Sequence, residues 1–146
     1  MKPNGSKSEY ADCRAESLLR EYRRYLLTTQ HINMGEAFAH AARQPAPQFF
    51  ISTRRASKVI TAMEKGASIL SMRANKRAMF EEIFRRYCEL RNLRPGDPTP
   101  HLVREVISQP APSHYVSAFT AKIIILHARK QWHRERFKKL QAFSSR

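Results

Sequence analysis

Apolar residues recur three and four positions apart through most of the chain, which is the spacing of amphipathic α-helices and not of strands. Two segments show the pattern most clearly. Their apolar stripes comprise Leu18, Tyr22, Tyr25 and Leu26 in the first segment, and Phe80, Phe84, Tyr87 and Cys88 in the second. Each stripe predicts a helix with one buried face. The Arg-Arg pairs beside the stripes, at 23–24 and 85–86, are expected to be solvated.

A second, shorter helix is predicted after each stripe, over 33–43 and over 99–108. Asn33 and Thr99 are suitable N-caps, and Pro100 suits the first helical position. Both segments are followed by Gln-Pro-Ala-Pro. Because proline lacks an N–H and restricts the residue before it, two prolines this close together end each helix.

A third helix is predicted to start at Ser52 in the first half and at Ser117 in the second, with Lys65-Gly66 as the C-terminal signal of the first. When the serines are aligned, the apolar positions correspond. Ala56, Val59 and Ile60 match Ala121, Ile124 and Ile125. The outward positions differ: Arg54, Arg55 and Lys58 match Phe119, Thr120 and Ile123. The buried face is kept, whereas the exposed face diverges.

The proline segments form a repeated phrase. QPAPQFFIS at 44–52 and QPAPSHYVS at 109–117 lie 65 residues apart and share five identical positions. Every letter has a folding role, since the prolines break a helix, the following apolar residues pack under the next one and the serine caps it. The sequence therefore predicts an all-α protein with two tandem three-helix units. We place a disordered N-terminus at 1–8, the first unit at 9–73 and the second at 74–146, which ends in a long basic helix.

The third helices carry a resemblance to a known superfamily. ISTRRASKVI and VSAFTAKIII resemble the V-S-x-x-T-V-S-R-V-I opening of recognition helices in helix-turn-helix DNA-binding modules. The resemblance implies that the first turn of this helix enters the major groove of DNA. The base-reading residues that it implies are Thr53, Arg54, Arg55, Ser57 and Lys58. The paired phrases are also similar to those of small basic bacterial proteins, and that similarity implies no function.

The turn before each third helix departs from the helix-turn-helix pattern. Eight residues separate the predicted second and third helices, whereas the usual turn has three or four. The angle between these two helices is therefore left open by the sequence.

Charge gives the strongest indication of a partner. The chain has 27 Lys and Arg against 12 Asp and Glu, a net charge of +15 at pH 7. Both halves are basic, which favours a polyanionic partner because the excess otherwise costs self-repulsion. We expect nucleic acid, with DNA favoured over RNA. The alternative is an adaptor or assembly protein that binds RNA or an acidic protein.

The C-terminal helix is the second candidate binding element. A stripe of Ala118, Ala121, Ile125, Ala128 and Trp132 predicts burial as far as Trp132, after which the helix is expected to leave the core. The basic residues that we assign to nucleic-acid contact in this helix are Lys122, Arg129, Lys130, Arg134, Arg136, Lys138 and Lys139. The same helix could pair with a protein partner or with a second copy in a homodimer.

Catalytic chemistry finds little support in the sequence. Cys13 and Cys88 form no C-x-x-C pair, and His127 and His133 do not share a helix face. Glu81 and Glu82 are adjacent, so they are expected to form ion pairs with nearby basic residues. We expect no enzyme activity, no catalytic residue, no cofactor and no metal site. No apolar run is long enough to span a membrane, so we expect a cytoplasmic protein, nucleoid-associated if it binds DNA.

Overall fold

The computed structural model describes residues 6–144, with side chains described from residue 10 onward. This part of the chain forms six α-helices and no strand, which confirms the all-α class. The helices are α1 (Ser6–Thr28), α2 (Met34–Arg43), α3 (Thr53–Glu64), α4 (Ala74–Leu93), α5 (Thr99–Ile107) and α6 (Ala118–Ser144).

The predicted disordered N-terminus needs one correction. Residues 1–5 lie outside the described part of the chain, but residues 6–8 form the first turn of α1. The helix breakers Pro3 and Gly5 precede this turn, and no glycine or proline follows until residue 35, so the sequence does not interrupt the helix.

The helix starts follow the predicted caps with one exception. The side-chain oxygens of Asn33, Ser52 and Ser117 each accept a hydrogen bond from the backbone N–H three residues later, at 3.1–3.2 Å. In α5 the cap position is held by Pro98, which has no side-chain acceptor, and Thr99 is the first helical residue. The hydroxyl of Thr99 instead lies 3.2 Å from that of Tyr87, which ties α5 to α4.

The end of α3 follows from Gly66. This residue has a φ of 92°, the left-handed backbone region that glycine adopts without steric cost. The N–H of Ala67 then reaches the carbonyl of Ala62 at 3.0 Å, and the N–H of Gly66 reaches that of Met63 at 3.0 Å. These bonds close the helix at its predicted signal.

The six helices pack as two groups of three. In the first group α6 packs against α1 and α2, and in the second group α3 packs against α4 and α5. The core of the first group includes Leu18, Tyr22, Phe38, Ala41, Ala121 and Ile125. The core of the second includes Ala56, Ile60, Phe80, Ile83, Tyr87, Leu102 and Val106. Each third helix therefore packs against the first two helices of the other half of the chain.

This exchange changes the predicted organisation. The expected boundary at 73/74 lies between α3 and α4, two helices that pack against each other. The two tandem units predicted at 9–73 and 74–146 are thus not confirmed as packing units, because α3 and α6 both leave the half to which their sequence belongs. The physical reason lies in the repeated phrases, whose non-helical backbone carries the chain across to the other group.

The two phrases lie against each other and form what we call the crossover (residues 44–52 and 109–117). The N–H of Ala46 donates to the carbonyl of Ala111 at 2.9 Å, and the N–H of Ala111 returns the bond at 2.9 Å. Two further bonds flank this pair, from Phe49 N–H to Ile107 and from His114 N–H to Ala42. The flanking bonds are equivalent under the repeat, so the crossover has local twofold symmetry.

Aromatic side chains repeat the same symmetry. Phe49 stacks with Tyr115 at a ring separation of 6.0 Å, and Phe50 stacks with His114 at 5.9 Å. Each pair joins one residue of each phrase, and exchange of the phrases converts one pair into the other. Offset stacks of this kind add to the stabilisation that burial provides.

His114 is the polar member of this aromatic group and is buried. Its Nδ1 lies 2.8 Å from the carbonyl oxygen of Gln44, which can only accept, so Nδ1 carries the proton. Nε2 then accepts a hydrogen bond from the hydroxyl of Ser17 at 2.7 Å. The neutral ring thus links α1 to the crossover. Burial lowers the pKa of His114, against smaller opposing effects of the Gln44 hydrogen bond and the nearby Glu21 carboxylate.

Arg86 was expected to be solvated, but only a fifth of its side chain is exposed. Its Nη1 donates to the carbonyl of Pro110 at 2.9 Å, and its guanidinium group lies 5.1 Å from the centre of the Phe49 ring. The side chain therefore fastens both phrases to α4. The neighbouring stripe residue Tyr87 is buried as predicted. The crossover that covers Arg86 could not be predicted from the spacing of apolar residues.

The exchange predicts that cutting the chain between α3 and α4 leaves the protein assembled. We would insert a specific protease site after Leu70, whose side chain is 75% exposed. Both fragments should elute together on size exclusion with unchanged helical circular dichroism, because α3 stays packed on α4 and α5. Fragments that separate while each stays folded would contradict the exchange.

The buried His114 predicts acid sensitivity. Its pKa is lower in the folded protein than the ordinary value of 6.5, so the unfolded chain binds more protons as the pH falls below about 6.5. The free energy of unfolding should therefore decrease below that pH, by up to about 1.4 kcal/mol per pH unit from this group. Denaturant titrations between pH 5 and pH 8 would measure it. His114→Gln should flatten the profile, whereas His101→Gln, at an exposed position of α5, should not.

Candidate nucleic-acid interface

The first turns of α3 present the predicted reading residues in two environments. Arg54, Arg55 and Lys58 are exposed, whereas Thr53 and Ser57 are half-buried. The Ser57 hydroxyl is buried and has no hydrogen-bond partner in the protein. Three basic side chains are therefore available to a ligand, and the two hydroxyl residues lie at the boundary with the core.

The inward face and the C-terminal end of α3 are packed against α4 and α5. Ala56 and Ile60 are fully buried against α4 and α5. At its C-terminal end, the Glu64 carboxylate accepts a hydrogen bond from the Tyr87 hydroxyl at 2.9 Å, and Arg91 donates to that hydroxyl at 2.8 Å. The exposed basic face is thus carried by a helix that is fixed along its opposite side.

All seven basic residues assigned in α6 are exposed. Ala121 and Ile125 are the buried residues of this helix, and every residue from 129 to 144 is exposed. The helix leaves the core as predicted, but the predicted buried stripe is too long at both ends. Ala118 is exposed, and the exposed part begins at residue 129, three residues before Trp132, which is 38% exposed. The second half of α6 is therefore a projecting helix with one acidic residue, Glu135, among its charges.

Ion pairs with carboxylates involve some of the basic residues of α1, α2 and α4. Arg24, Arg43, Arg85, Arg86 and Arg94 each lie within 4 Å of a carboxylate. Hydrogen bonds from Arg85 and Arg86 also lower the pKa of Glu82, as expected for the predicted ion pairs of that residue. Within residues 10–144, no such pair involves a basic residue of α3 or α6. The positive charge of these two helices is not neutralised by the protein itself.

The exposed faces of α3 and α6 differ as the sequence indicated. Phe119 and Ile123, which replace Arg54 and Lys58, are 72% and 54% exposed. Leu126 continues this apolar stripe at 41% exposure. Thr120 is half-buried, and its backbone N–H donates the capping hydrogen bond to the Ser117 hydroxyl. The first turns of α6 thus lack the basic face of α3, although Lys122 lies among them.

The relation to helix-turn-helix modules is altered by the crossover. Consecutive helices of such modules pack through a short turn, but α2 and α3 belong to different groups and do not contact each other. Each group still contains three helices, with a third helix that comes from the other half of the sequence. The predicted residues of α3 lie together, whereas those of α6 belong to the other helical group.

One cluster was missed by the sequence analysis. The guanidinium groups of Arg23 and Arg136 lie 4.9 Å and 5.0 Å from the centre of the Trp132 ring. The pairing of Arg136 with Trp132, four residues apart on one helix, could have been inferred from spacing. The contact with Arg23 could not, because it depends on α6 packing against α1.

Among the side chains of residues 10–144, no three from His, Cys, Asp or Glu are grouped so as to hold a metal ion. None of the helices described here has the length and apolar character needed to cross a membrane.

Comparisons with known proteins identify no family for this chain. No protein-family model matches it, and neither a curated protein nor a solved structure is significantly similar.

Proposed function

We propose that this protein binds nucleic acid, and double-stranded DNA in particular, through the basic faces of α3 and α6. The observation that carries the proposal is that, within the described residues, no basic residue of α3 or α6 forms an ion pair, whereas some basic residues of α1, α2 and α4 do. Those that pair with a carboxylate are Arg24, Arg43, Arg85 and Arg86. Exposed guanidinium and ammonium groups that form no ion pair suit contact with phosphates.

The first turns of α3 are the proposed source of sequence preference. Arg54, Arg55 and Lys58 project from a helix whose other side is buried, so their positions are fixed relative to the rest of the second group. Arginine can donate two parallel hydrogen bonds to a guanine edge in the major groove. A fixed helix with two such residues in its first turn supports base contact as well as phosphate contact.

The projecting part of α6 is the proposed source of general affinity. Its basic residues occur around the helix and not on one face. This arrangement suits contact with phosphates more than base reading. Affinity from such contacts arises from counterion release, so it should fall steeply as salt rises.

Removing the charges of α3 should weaken binding and reduce sequence preference together. In the triple variant Arg54→Gln, Arg55→Gln and Lys58→Gln, the slope of log affinity against log salt should become shallower by about 1 to 3, depending on how many of these residues contact phosphates. Fluorescence anisotropy with labelled DNA duplexes of different sequence would measure both effects. Arg85→Gln is the matched control, since that residue already pairs with Glu82 and Glu89. Binding that is absent at low salt, or unaffected by salt, would rule out the proposal.

Removing charge from the end of α6 should act differently. The double variant Lys138→Gln and Lys139→Gln should weaken binding to all duplexes equally, with a salt slope shallower by about 1 to 2 and an unchanged order of sequence preference. The same anisotropy assay checks this, with Arg43→Gln as control because that residue pairs with Glu36. A changed order of preference would assign base reading to α6 instead.

A further inference from the structure

A groove lies between α1 and α6, away from the basic face of α3. It has a volume of about 570 Å³, and an adjoining part between the same helices adds a second volume of about 410 Å³. Leu19, Leu27 and Trp132 contribute its apolar surface. We call this surface the α1–α6 groove.

The apolar residues of the groove lack full cover. Leu27 is 85% exposed and Trp132 is 38% exposed, whereas Leu19 beneath them is buried. Leucine and tryptophan side chains that are exposed to water are unfavourable, and a docked apolar side chain would bury them. Concave apolar surfaces between helices are the kind that receive one face of an amphipathic helix.

Charge is distributed unevenly along the groove. Arg20 and Arg23 line it, and Arg129 borders the adjoining part. In residues 10–144 none of these three has a carboxylate within ion-pair distance. Glu16 lies on the groove as well, and beyond it a further depression is bordered by Asp12 and Glu135. The end near Leu27 is therefore basic, and the end near Glu16 is acidic.

Two other occupants fit less well. A second copy of this chain carries a net charge of +15, so its approach to a basic groove is repelled. A nucleic-acid base would need an aromatic face for stacking, but guanidinium groups of Arg23 and Arg136 already lie over the Trp132 ring. Leu27 also offers an aliphatic contact that a base does not require.

We propose that the α1–α6 groove binds an amphipathic helix of a protein partner, with leucine-like residues on its apolar face and carboxylates at the end that meets Arg20 and Arg23. The apolar side chains fill the space beside Leu27 and Trp132. The carboxylates pair with guanidinium groups that the protein leaves unpaired, and this charge complementarity sets the direction of the bound helix. The site is separate from α3, and Arg129 is the residue that it shares with the proposed nucleic-acid contacts of α6.

Trp132 provides a direct probe, because it is the chain's one tryptophan. We would titrate the full-length protein with a synthetic helical peptide that carries leucines at i, i+3, i+4 and i+7 and glutamates beside them. Its fluorescence should change saturably. A peptide with the same leucines and lysines in place of glutamates should bind at least about tenfold more weakly, since it meets the arginines with like charge.

Leu27→Asp should lower the affinity for the acidic peptide by about tenfold or more, because the apolar contact is lost and the new carboxylate repels the glutamates. Leu93→Asp on α4 is the matched control, since that leucine is 78% exposed and lies outside the groove. Arg20→Gln, at an exposed position, gives a second variant if Leu27→Asp perturbs folding, and circular dichroism checks both. Binding of duplex DNA should be unchanged by Leu27→Asp, so failure here and failure of the proposed function are distinguishable.

Three results would overturn the inference. They are the absence of saturable fluorescence change with the acidic peptide, equal binding of the lysine peptide, and binding that neither groove variant weakens. A single-stranded oligonucleotide that changes Trp132 fluorescence, and loses this effect in Leu27→Asp, would assign the groove to nucleic acid instead.

Discussion

The reciprocal hydrogen bonds between Ala46 and Ala111 are the constraint on which the rest of the structure depends. Each alanine lies between two prolines, which have no N–H to donate. The glutamine of each phrase donates its N–H back to the preceding helix, from Gln44 to Ala41 and from Gln109 to Val106. The alanine N–H is then the one backbone donor left within each Gln-Pro-Ala-Pro, and the alanine carbonyl of the other phrase accepts its hydrogen bond. Because both alanines are buried, their small size also lets the two backbones approach.

The exchange of third helices follows from this pairing. Each phrase follows the end of a helix, and the two phrases pair antiparallel. The chain therefore runs in opposite directions through them, across the local twofold axis. The helix that follows each phrase then lies beside the other half of the chain. The phrases are also the sole chain connections between the two groups within residues 6–144, since α1–α2, α3–α4 and α4–α5 connections stay inside one group. Cohesion of the protein therefore resides in the crossover, together with the aromatic stacks and Arg86 that surround it.

Local features of this fold could be predicted from sequence, and their partners could not. The stripes of α1 and α4, the serine caps, the glycine end of α3 and the matched pairs Ala56–Ala121 and Ile60–Ile125 all follow from spacing and cap chemistry within a few residues. The sequence does not indicate which helix covers each stripe, because the same positions are buried whether or not the two halves exchange their third helices. Periodicity also indicated the outward face of α3 and the departure of α6 from the core, whereas the reading role of the α3 residues was implied by the helix-turn-helix resemblance. The Arg23–Trp132 contact and the buried Ser17–His114 hydrogen bond join residues more than 90 positions apart and have no local signal.

The exchange also accounts for how the two proposed surfaces came to differ. Under the repeat, the residues facing outward from α3 and α6 occupy equivalent places, yet one set is basic and the other is largely apolar before the helix projects. Because α6 packs on α1, and not on α4, its extension brings Trp132 beside Arg23 and Leu27 and so creates the α1–α6 groove. The shorter α3 ends at Gly66 and extends no such arm along α4. Two differences after a common cap, in the outward-facing residues and in helix length, accompany the same crossover. They give a short basic helix in one group and a groove with a projecting arm in the other.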